Sequence, residues 1–239
     1  MGKSSMIVTE HSISRRLKQE TRIQHERAER HRLPQALRDG RLPRRLYVDW
    51  LAQRFLIHRA LGREAATLAD RNPVVRPILE HQHDALAKLR ADLTFFNVDP
   101  GTVRPTPAGT KLIASIEHTA RFSPVALLGV CYVLHVTGDR PCSGVQQLRR
   151  VYGLEPGPGT LYLDSGCRYY RAGGCALKLA EDADLVSRLE THTLVAAART
   201  TYILSAELED ELLPHVVPKR SRGAAVPMTN EATREAAVP

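Results

Sequence analysis

Apolar residues along this chain recur at the three- and four-residue spacing that a helix needs to bury one face. Between about residues 44 and 70 this spacing is carried by Leu46, Trp50, Phe55, Ile57, Leu61 and Leu68. The stretch ends at Arg71-Asn72-Pro73, because a proline disfavours helical geometry in the residue before it. From Val125 to Leu134 nearly every residue is apolar, which is typical of a helix in the middle of a bundle.

Six long helices are predicted by this pattern. They cover about residues 12–30, 44–70, 75–96, 108–121, 125–152 and 184–213, and the fifth is interrupted at 138–141. A segment rich in glycine and aromatic residues, at 153–174, is expected to be irregular. No convincing pair of strands and no internal repeat is present, so we predict an all-α fold.

The domain organisation follows from where the apolar periodicity begins and ends. With 239 residues the chain fits one helical domain at 12–215, preceded by an extension at 1–11. Residues 216–239 are polar and rich in alanine, which predicts a disordered tail. No stretch approaches the roughly 20 apolar residues that cross a bilayer, and the first residues are too polar for a secretion signal. We therefore expect a cytoplasmic protein without a membrane partner, monomeric or weakly dimeric.

The positive charge belongs to the first third of the chain. The whole sequence has 34 Lys and Arg against 26 Asp and Glu, a net charge of +8. Residues 1–71 hold 16 of the basic and 8 of the acidic residues, so the other 168 residues hold 18 of each and balance. A basic face can meet an anionic small molecule, an acidic protein or nucleic acid. Nucleic acid is excluded as a predicted partner, because the chain shows no binding motif and only 5% aromatic residues.

A histidine stands at the edge of the face that the first helix would bury. At about 100° per residue, the narrow stripe of this face holds Leu17, Thr21, Gln24 and Ala28. Along one edge of the stripe stand His25, Glu29, Lys18 and Arg22. An imidazole ligates a metal through an unprotonated ring nitrogen. A carboxylate that accepts a hydrogen bond from the other ring nitrogen fixes the tautomer and raises the basicity of the ligand. The two cations could bind an anionic group, whereas the alternative is a surface histidine among solvated ion pairs.

The order of motifs resembles that of the haem oxygenase family. Residues 17–29, with Thr21, His25 four residues later and the Ala28-Glu29 pair, are similar to the family's proximal helix. The aromatic pair that ends the family's third helix is matched at 95–96, and the start of its fourth helix at 105–108. Residues 202–212 resemble its final helix. The resemblance covers about 12–215 and implies a single-domain, all-α, multi-helix bundle.

The resemblance also implies an activity and a set of roles. His25 would ligate the haem iron, Glu29 would orient that histidine, and Lys18 and Arg22 would hold the haem propionates. Haem would be both substrate and cofactor, cleaved with dioxygen and electrons to biliverdin, carbon monoxide and ferrous iron. The electrons would come from an acidic donor, such as a ferredoxin, a flavodoxin or a reductase, docked on the basic N-terminal face.

The distal segment departs from the family's glycine-rich pattern. Gly138, Asp139, Ser143 and Gly144 match that pattern only if two extra residues stand between the pairs, and Pro141 intrudes. By resemblance, Gly138 and Gly144 would lie against haem, and Asp139 would order the water that delivers protons. Tyr132 and Ser143 would line the same pocket.

Three outcomes of this departure remain open. The kink over the haem is built differently, or His135 or Cys142 enters the pocket as a second iron ligand, or the fold is kept without the activity. The propionate-binding segment is also shorter than in the family, and Arg171 and Lys178 are the cations predicted there.

Two other function classes compete with a haem oxygenase. One is a non-enzymatic haem-binding protein, which the altered distal segment favours. The other is a di-iron oxidase of the same fold, which uses carboxylates and histidines from several helices. Its candidate ligands are Glu80, His83, Glu117, His118, Glu190 and His192. Glu190 and His192 point to opposite sides of a helix and cannot serve one site.

Overall fold

Helices make up nearly all of the regular structure in the computed structural model, which describes residues 13–135, 141–164 and 186–213. They are α1 (Ile13–Glu20), α2 (Arg22–Glu29), α3 (Arg32–Arg38), α4 (Arg44–Leu68), α5 (Arg76–Phe95), α6 (Pro107–Phe122), α7 (Leu127–His135), α8 (Pro141–Tyr152) and α9 (Arg188–Leu212). No strand occurs within these three ranges, so the predicted all-α fold is confirmed. None of their helices is long and apolar enough to span a bilayer. The predicted extension at 1–11 and the predicted tail at 216–239 lie outside them.

The first predicted helix is divided at Thr21 into α1 and α2. Helical hydrogen bonding nevertheless continues across the division, from Thr21 N to Leu17 O and from His25 N to Thr21 O, both at 2.9 Å. The Thr21 hydroxyl also donates to Leu17 O at 2.7 Å, a local bond that often bends a helix. Each residue of α2 therefore lies on the face of the helix that was predicted for one continuous helix.

The last helix begins later than predicted. The expectation was a start near residue 184, whereas α9 begins at Arg188. Ser187 accepts a hydrogen bond from Glu190 N, and the Glu190 carboxylate accepts one from Ser187 N, which together form a capping box. This reciprocal cap fixes the start of α9.

The core is built around α4 and closed by α9. Helix α4 packs against α5 and α6, and α9 packs against α6 and α7 and also contacts α1 and α2. Helix α7 is buried along most of its length, as its apolar sequence predicts. A Cβ atom at Gly129 would collide with the backbone carbonyl of Leu194. The crossing of α7 and α9 therefore requires a residue without a side chain at this point.

A buried carboxylate organises the turn after α8, in the segment expected to be irregular. Asp92 of α5 accepts hydrogen bonds from the backbone N–H groups of Gly159, Leu161 and Tyr162, at 2.7, 3.0 and 2.9 Å. These bonds cap a helical turn at 161–164. Burial raises the pKa of Asp92, and the three backbone donors oppose that rise. The turn brings Tyr162 into the core, 7% exposed.

Candidate functional site

His25 lies where α2 packs against α9. The predicted stripe is the buried face of the helix, because Leu17 and Thr21 are fully buried and Ala28 packs against the core. His25, at the edge of this stripe, is half-buried. Its ring meets the ring of Tyr202 edge-on, with centroids 6.2 Å apart and planes at 83°.

Tyr202 brings three of the predicted residues together. Its side chain is 6% exposed, and its hydroxyl is buried without a hydrogen bond of good geometry to the described residues. The hydroxyl of Tyr132, on α7, lies against it, and the charge of the Glu29 carboxylate, on α2, acts on it. Burial raises the pKa of Tyr202 well above its ordinary value, and Tyr132 and Glu29 raise it further. The hydroxyl is therefore a hydrogen-bond donor at any physiological pH.

Two further polar atoms on the same two helices are buried and unsatisfied. Gln24 Oε1 on α2 and Ser205 Oγ on α9 have no hydrogen-bond partner among the described residues. A buried polar atom without a partner costs about 1–3 kcal/mol, so a group of them at one helix contact is typical of a ligand site. A half-buried imidazole with an acid one turn away, and with unsatisfied polar atoms on its own helix and the helix packed against it, fits a haem group.

The side chains of Glu29 and His25 are not hydrogen-bonded to each other in this structure. The resemblance implied a hydrogen bond between the two side chains, but the described structure contains none. The charge of the carboxylate does contribute to the raised pKa of Tyr202. The backbone oxygen of Glu29 accepts a hydrogen bond from Arg38 Nη2 of α3 at 2.6 Å. This bond fixes the end of α2.

The two predicted propionate cations of the first helix lie at the surface. Lys18 on α1 and Arg22 on α2 are both exposed. Arg22 Nη1 lies 2.8 Å from Glu26 Oε1, one turn further along α2, an exposed pair of the kind that contributes little stability. Neither cation takes part in the contact around Tyr202, and both could bind an anion at the surface beside His25.

The predicted distal residues are only partly described. Gly138 and Asp139 lie outside the described residues, as do Arg171 and Lys178, and so does the side chain of Ser143. Their roles stay predictions.

Gly144, at the start of α8, makes its close contact with another helix. A Cβ atom at Gly144 would lie 3.2 Å from Arg38 Cα. The close approach that this glycine permits is therefore to α3 in this structure, where the resemblance implied an approach to haem. Because Arg38 also holds the end of α2, α8 and the helix of His25 rest on the same residue.

An ion-pair cluster anchors the end of α2 on α9. His31 directly follows α2, and its two ring nitrogens each lie 3.1 Å from a carboxylate, that of Glu209 and that of Asp210. Glu209 is also 3.9 Å from Arg54 of α4, which is buried. The Glu209 carboxylate, and after it the charge of Asp210, raises the pKa of His31, while desolvation opposes this. No local pattern signals this cluster, because its members are far apart in the chain.

The candidate di-iron ligands do not converge. Glu80 and His83 are exposed on α5, Glu117 pairs with Arg63, and Glu190 caps α9. Within the described ranges, no group of three or more His, Cys, Asp or Glu side chains could hold a metal ion. The arrangement of these residues gives the di-iron alternative no support.

Comparison with known proteins agrees with the family resemblance. Residues 11–162 match the family model described as Heme oxygenase. Among solved structures, heme oxygenase-1 from the cyanobacterium Synechocystis in complex with heme superposes with a TM-score of 0.71 at 17% identity, over 84% of this chain and 92% of that one. The heme oxygenase from Leptospira interrogans gives 0.68 at 19% identity, over 84% and 100%.

The same fold also occurs in a protein with a different name. A TenA homologue from P. horikoshii superposes with a TM-score of 0.63 at 14% identity, over 84% of this chain and 98% of that one. No curated protein has a sequence that matches this chain. At such identities the solved structures establish the fold alone.

Proposed function

Since the chain belongs to the haem oxygenase family by its match over residues 11–162, we propose that it binds haem through His25 and cleaves it. The reaction consumes dioxygen and electrons and gives biliverdin, carbon monoxide and ferrous iron. The observation that carries the proposal is that Tyr202 links three of the predicted residues: its ring meets the ring of His25, and both Tyr132 and the charge of Glu29 act on its hydroxyl. These residues come from three different helices, α2, α7 and α9.

Haem, when bound, supplies the iron that activates dioxygen and the ring carbon that is attacked. The chain's own residues bind and orient it. His25 offers a neutral imidazole nitrogen to the iron, and Glu29 orients the ring from one turn away. Lys18 and Arg22 hold propionates at the rim by charge-assisted hydrogen bonds, and Arg171 and Lys178 are proposed to do the same.

The distal residues are proposed to manage dioxygen and protons. Gly138, which has no Cβ atom, would leave space for dioxygen at the haem. Asp139 holds the water that delivers protons, and Tyr132, Ser143 and Gly144 line the same side. Tyr132 is the member of this set whose position supports the proposal, because its hydroxyl faces Tyr202.

The electron donor is proposed to be an acidic protein, such as a ferredoxin, a flavodoxin or a reductase. Exposed cations on α1 and α2 give the helices around His25 a positive outer surface: Arg15, Lys18, Arg22 and Arg27. Opposite charge on the partner would speed its encounter with this surface. Such donors are cytoplasmic, which is the compartment we propose.

A haem-binding protein without oxygenase activity is the second candidate. The altered pattern at 138–145 favours it, and so does the packing of Gly144 against Arg38. The two candidates share His25 as the iron ligand and differ only in whether the bound haem is cleaved once it is reduced under air.

One experiment separates the candidates. Hemin is titrated into the purified protein, and the Soret band and the later biliverdin absorption are followed under ascorbate and air. We expect one hemin per chain and conversion to biliverdin. Stable haem without biliverdin would select the binding protein, and iron without a Soret band would select a non-haem site.

The ligand is tested by His25→Ala with His83→Ala as the matched control, since His83 lies exposed on α5. His25→Ala should change the ferric and ferrous spectra, and added imidazole should restore them. His83→Ala should leave the spectra as in the wild type. An unchanged spectrum in His25→Ala would overturn the assignment.

A further inference from the structure

Helix α2 is tied to α9 by polar contacts at both of its ends. None of its own residues is fully buried, so little apolar area fixes its position. Just before it starts, Arg199 of α9 donates from Nε and Nη2 to the carbonyl oxygen of Glu20, at 3.0 and 2.8 Å. Just after it ends, Nδ1 of His31 lies 3.1 Å from Oε2 of Glu209, also on α9. The position of His25, between these two ties, therefore depends on polar contacts outside α2.

Glu209 also meets a cation from the centre of the fold. Its Oε1 atom lies 3.9 Å from Nη2 of Arg54 on α4, and both side chains are buried. The guanidinium lies over the ring of Trp50, 5.1 Å from its centroid, and its Nε atom has no hydrogen-bond partner among the described residues. A buried cation needs a counter-charge close by, and Glu209 supplies it. One carboxylate of α9 thus lies between the central helix α4 and the end of α2.

We propose that Glu209 is a positioning residue of the haem site, which holds the end of α2 on the bundle through His31 and so keeps His25 where it can bind iron. This inference rests on the proposed function, because it concerns the same iron ligand. Arg54 restrains the carboxylate from the core side, so Glu209 cannot follow α2 if that helix moves. None of the roles predicted from the sequence involved Glu209, Arg54 or His31.

The tie through His31 depends on pH. The charged groups around its ring are two carboxylates of α9, the guanidinium of α4 beyond them and two exposed neighbours in the chain: Glu209, Asp210, Arg54, Arg30 and Arg32. Glu209 first, and then Asp210, raise the pKa of His31 above its ordinary value of 6.5, while burial opposes the rise. The ring is charged below this raised pKa, and the tie weakens as the pH increases through it.

Haem affinity should carry the same dependence. A ligand that needs α2 in place binds more weakly in proportion to the fraction of molecules in which α2 is displaced. The test is a hemin titration at about pH 7 and about pH 9, followed through the Soret band. At about pH 7, Glu209→Gln should raise the hemin Kd about two- to fivefold over the wild type. An effect of pH on hemin alone is common to both proteins and cancels in this ratio.

A second variant separates positioning from stability. Glu209→Gln also leaves Arg54 buried without its counter-charge, which destabilises the fold whatever happens to haem. Adding Arg54→Met removes that charge, and apolar side chains in place of a buried ion pair are often neutral for stability. The double variant should therefore unfold in urea near the wild-type midpoint and still bind hemin about two- to fivefold more weakly at about pH 7. At about pH 9 this ratio should fall towards one, because His31 has then lost its proton in the wild type too.

The matched control is Glu207→Gln, two positions away on α9, whose carboxylate pairs with Lys111 of α6 at 3.1 Å. It should leave the hemin Kd as in the wild type at both pH values. A wild-type Kd at about pH 7 in the double variant, or an equal ratio at the two pH values, would overturn the proposal. Failure of the proposed function is distinct, because the wild type would then show no His25-dependent haem spectrum.

Discussion

The Nδ1 atom of His31 lies 3.1 Å from the Oε2 atom of Glu209, which fastens the end of α2 to α9. These are the two helices that carry His25 and Tyr202. Only 14% of the His31 side chain and 9% of the Glu209 side chain are exposed, so solvent weakens this pair less than an ordinary surface pair. The geometry of the proposed haem site therefore depends on a contact outside it.

Stability should fall as the pH rises through the folded-state pKa of His31. Its carboxylate partners raise this pKa above the ordinary value of 6.5, so the folded protein holds the proton more tightly than the unfolded chain. The stabilisation is complete below the unfolded pKa and is lost above the folded one. Because of this pair, the free energy of unfolding in urea should be about 0.5–1 kcal/mol larger at about pH 5.5 than at about pH 8.5.

His31→Gln is the variant that tests this dependence. It should remove the part of the pH dependence that belongs to the pair, whereas His83→Gln, at an exposed position on α5, should keep the wild-type profile. Identical profiles for His31→Gln and the wild type would show that Glu209 and Asp210 do not hold a proton on this ring.

Tyr162→Phe should destabilise the core by about 1–3 kcal/mol. The Nδ1 atom of His58 lies 2.7 Å from Gln82 Oε1, and its Nε2 atom 2.7 Å from the Tyr162 hydroxyl. Because the amide oxygen accepts, Nδ1 carries the proton and Nε2 accepts from the tyrosine. Loss of the hydroxyl leaves a buried ring nitrogen without this donor. Urea unfolding measures the loss.

The control for Tyr162 is Tyr152→Phe, which removes a half-buried hydroxyl that donates to Leu42 O. Its cost should be smaller, about 0.5–1.5 kcal/mol. A cost for Tyr162→Phe no greater than that of the control would mean that the Tyr162 hydroxyl does not donate a stabilising hydrogen bond to His58 Nε2.

Asp92→Asn should cost about 2–3 kcal/mol, because the backbone donors of Gly159, Leu161 and Tyr162 share one carboxylate. The amide has a single acceptor oxygen, so at least one buried N–H group loses its partner. Asp84→Asn, which breaks an exposed pair with Lys88, should cost about 0.5 kcal/mol. Equal effects of the two changes in urea unfolding would contradict this account of the turn.

Local patterns were enough to predict the helices and the buried face of α2. The positions of Leu17, Thr21 and Ala28 repeat at helical spacing, and one face of a helix is decided by such spacing alone. The apolar run of α7 likewise had to be buried. The family motif then selected His25 among the ten histidines of the chain.

Contacts between distant residues could not be predicted in the same way. Asp92 caps a turn whose first bonded residue lies 67 positions away, and no local pattern marks an aspartate that will be buried. The spacing of apolar residues along α9 predicts that Tyr202 faces the core. Which residues it contacts there depends on how α9 crosses α2 and α7. That crossing is set by packing along whole helices.

Added salt should slow turnover with a protein electron donor. The exposed cations of α1 and α2, among them Lys18 and Arg22, would attract an acidic donor through a field that salt screens over about 10 Å at 0.1 M. Turnover supported by ascorbate, which needs no protein docking, is the control and should change little. Equal salt effects on the two reactions would exclude docking on this surface.

Gly129→Ala should separate α7 from α9 and weaken haem binding together with stability. The new Cβ atom would collide with the Leu194 carbonyl, and backbone cannot move aside as a flexible side chain can. Overpacking of this kind costs about 1–3 kcal/mol. Because Tyr132 follows Gly129 by less than one helical turn, the same displacement moves its hydroxyl away from Tyr202.

The matched change is Gly101→Ala, in an exposed loop where the nearest atom, 3.2 Å away, belongs to the flexible end of the Asp99 side chain. It should leave both the melting temperature and the hemin titration as in the wild type. Gly129→Ala should lower the melting temperature and raise the hemin dissociation constant. If Gly129→Ala lowered stability but left hemin affinity intact, the α7–α9 crossing would serve the fold alone, and Tyr132 would have no part in the haem pocket.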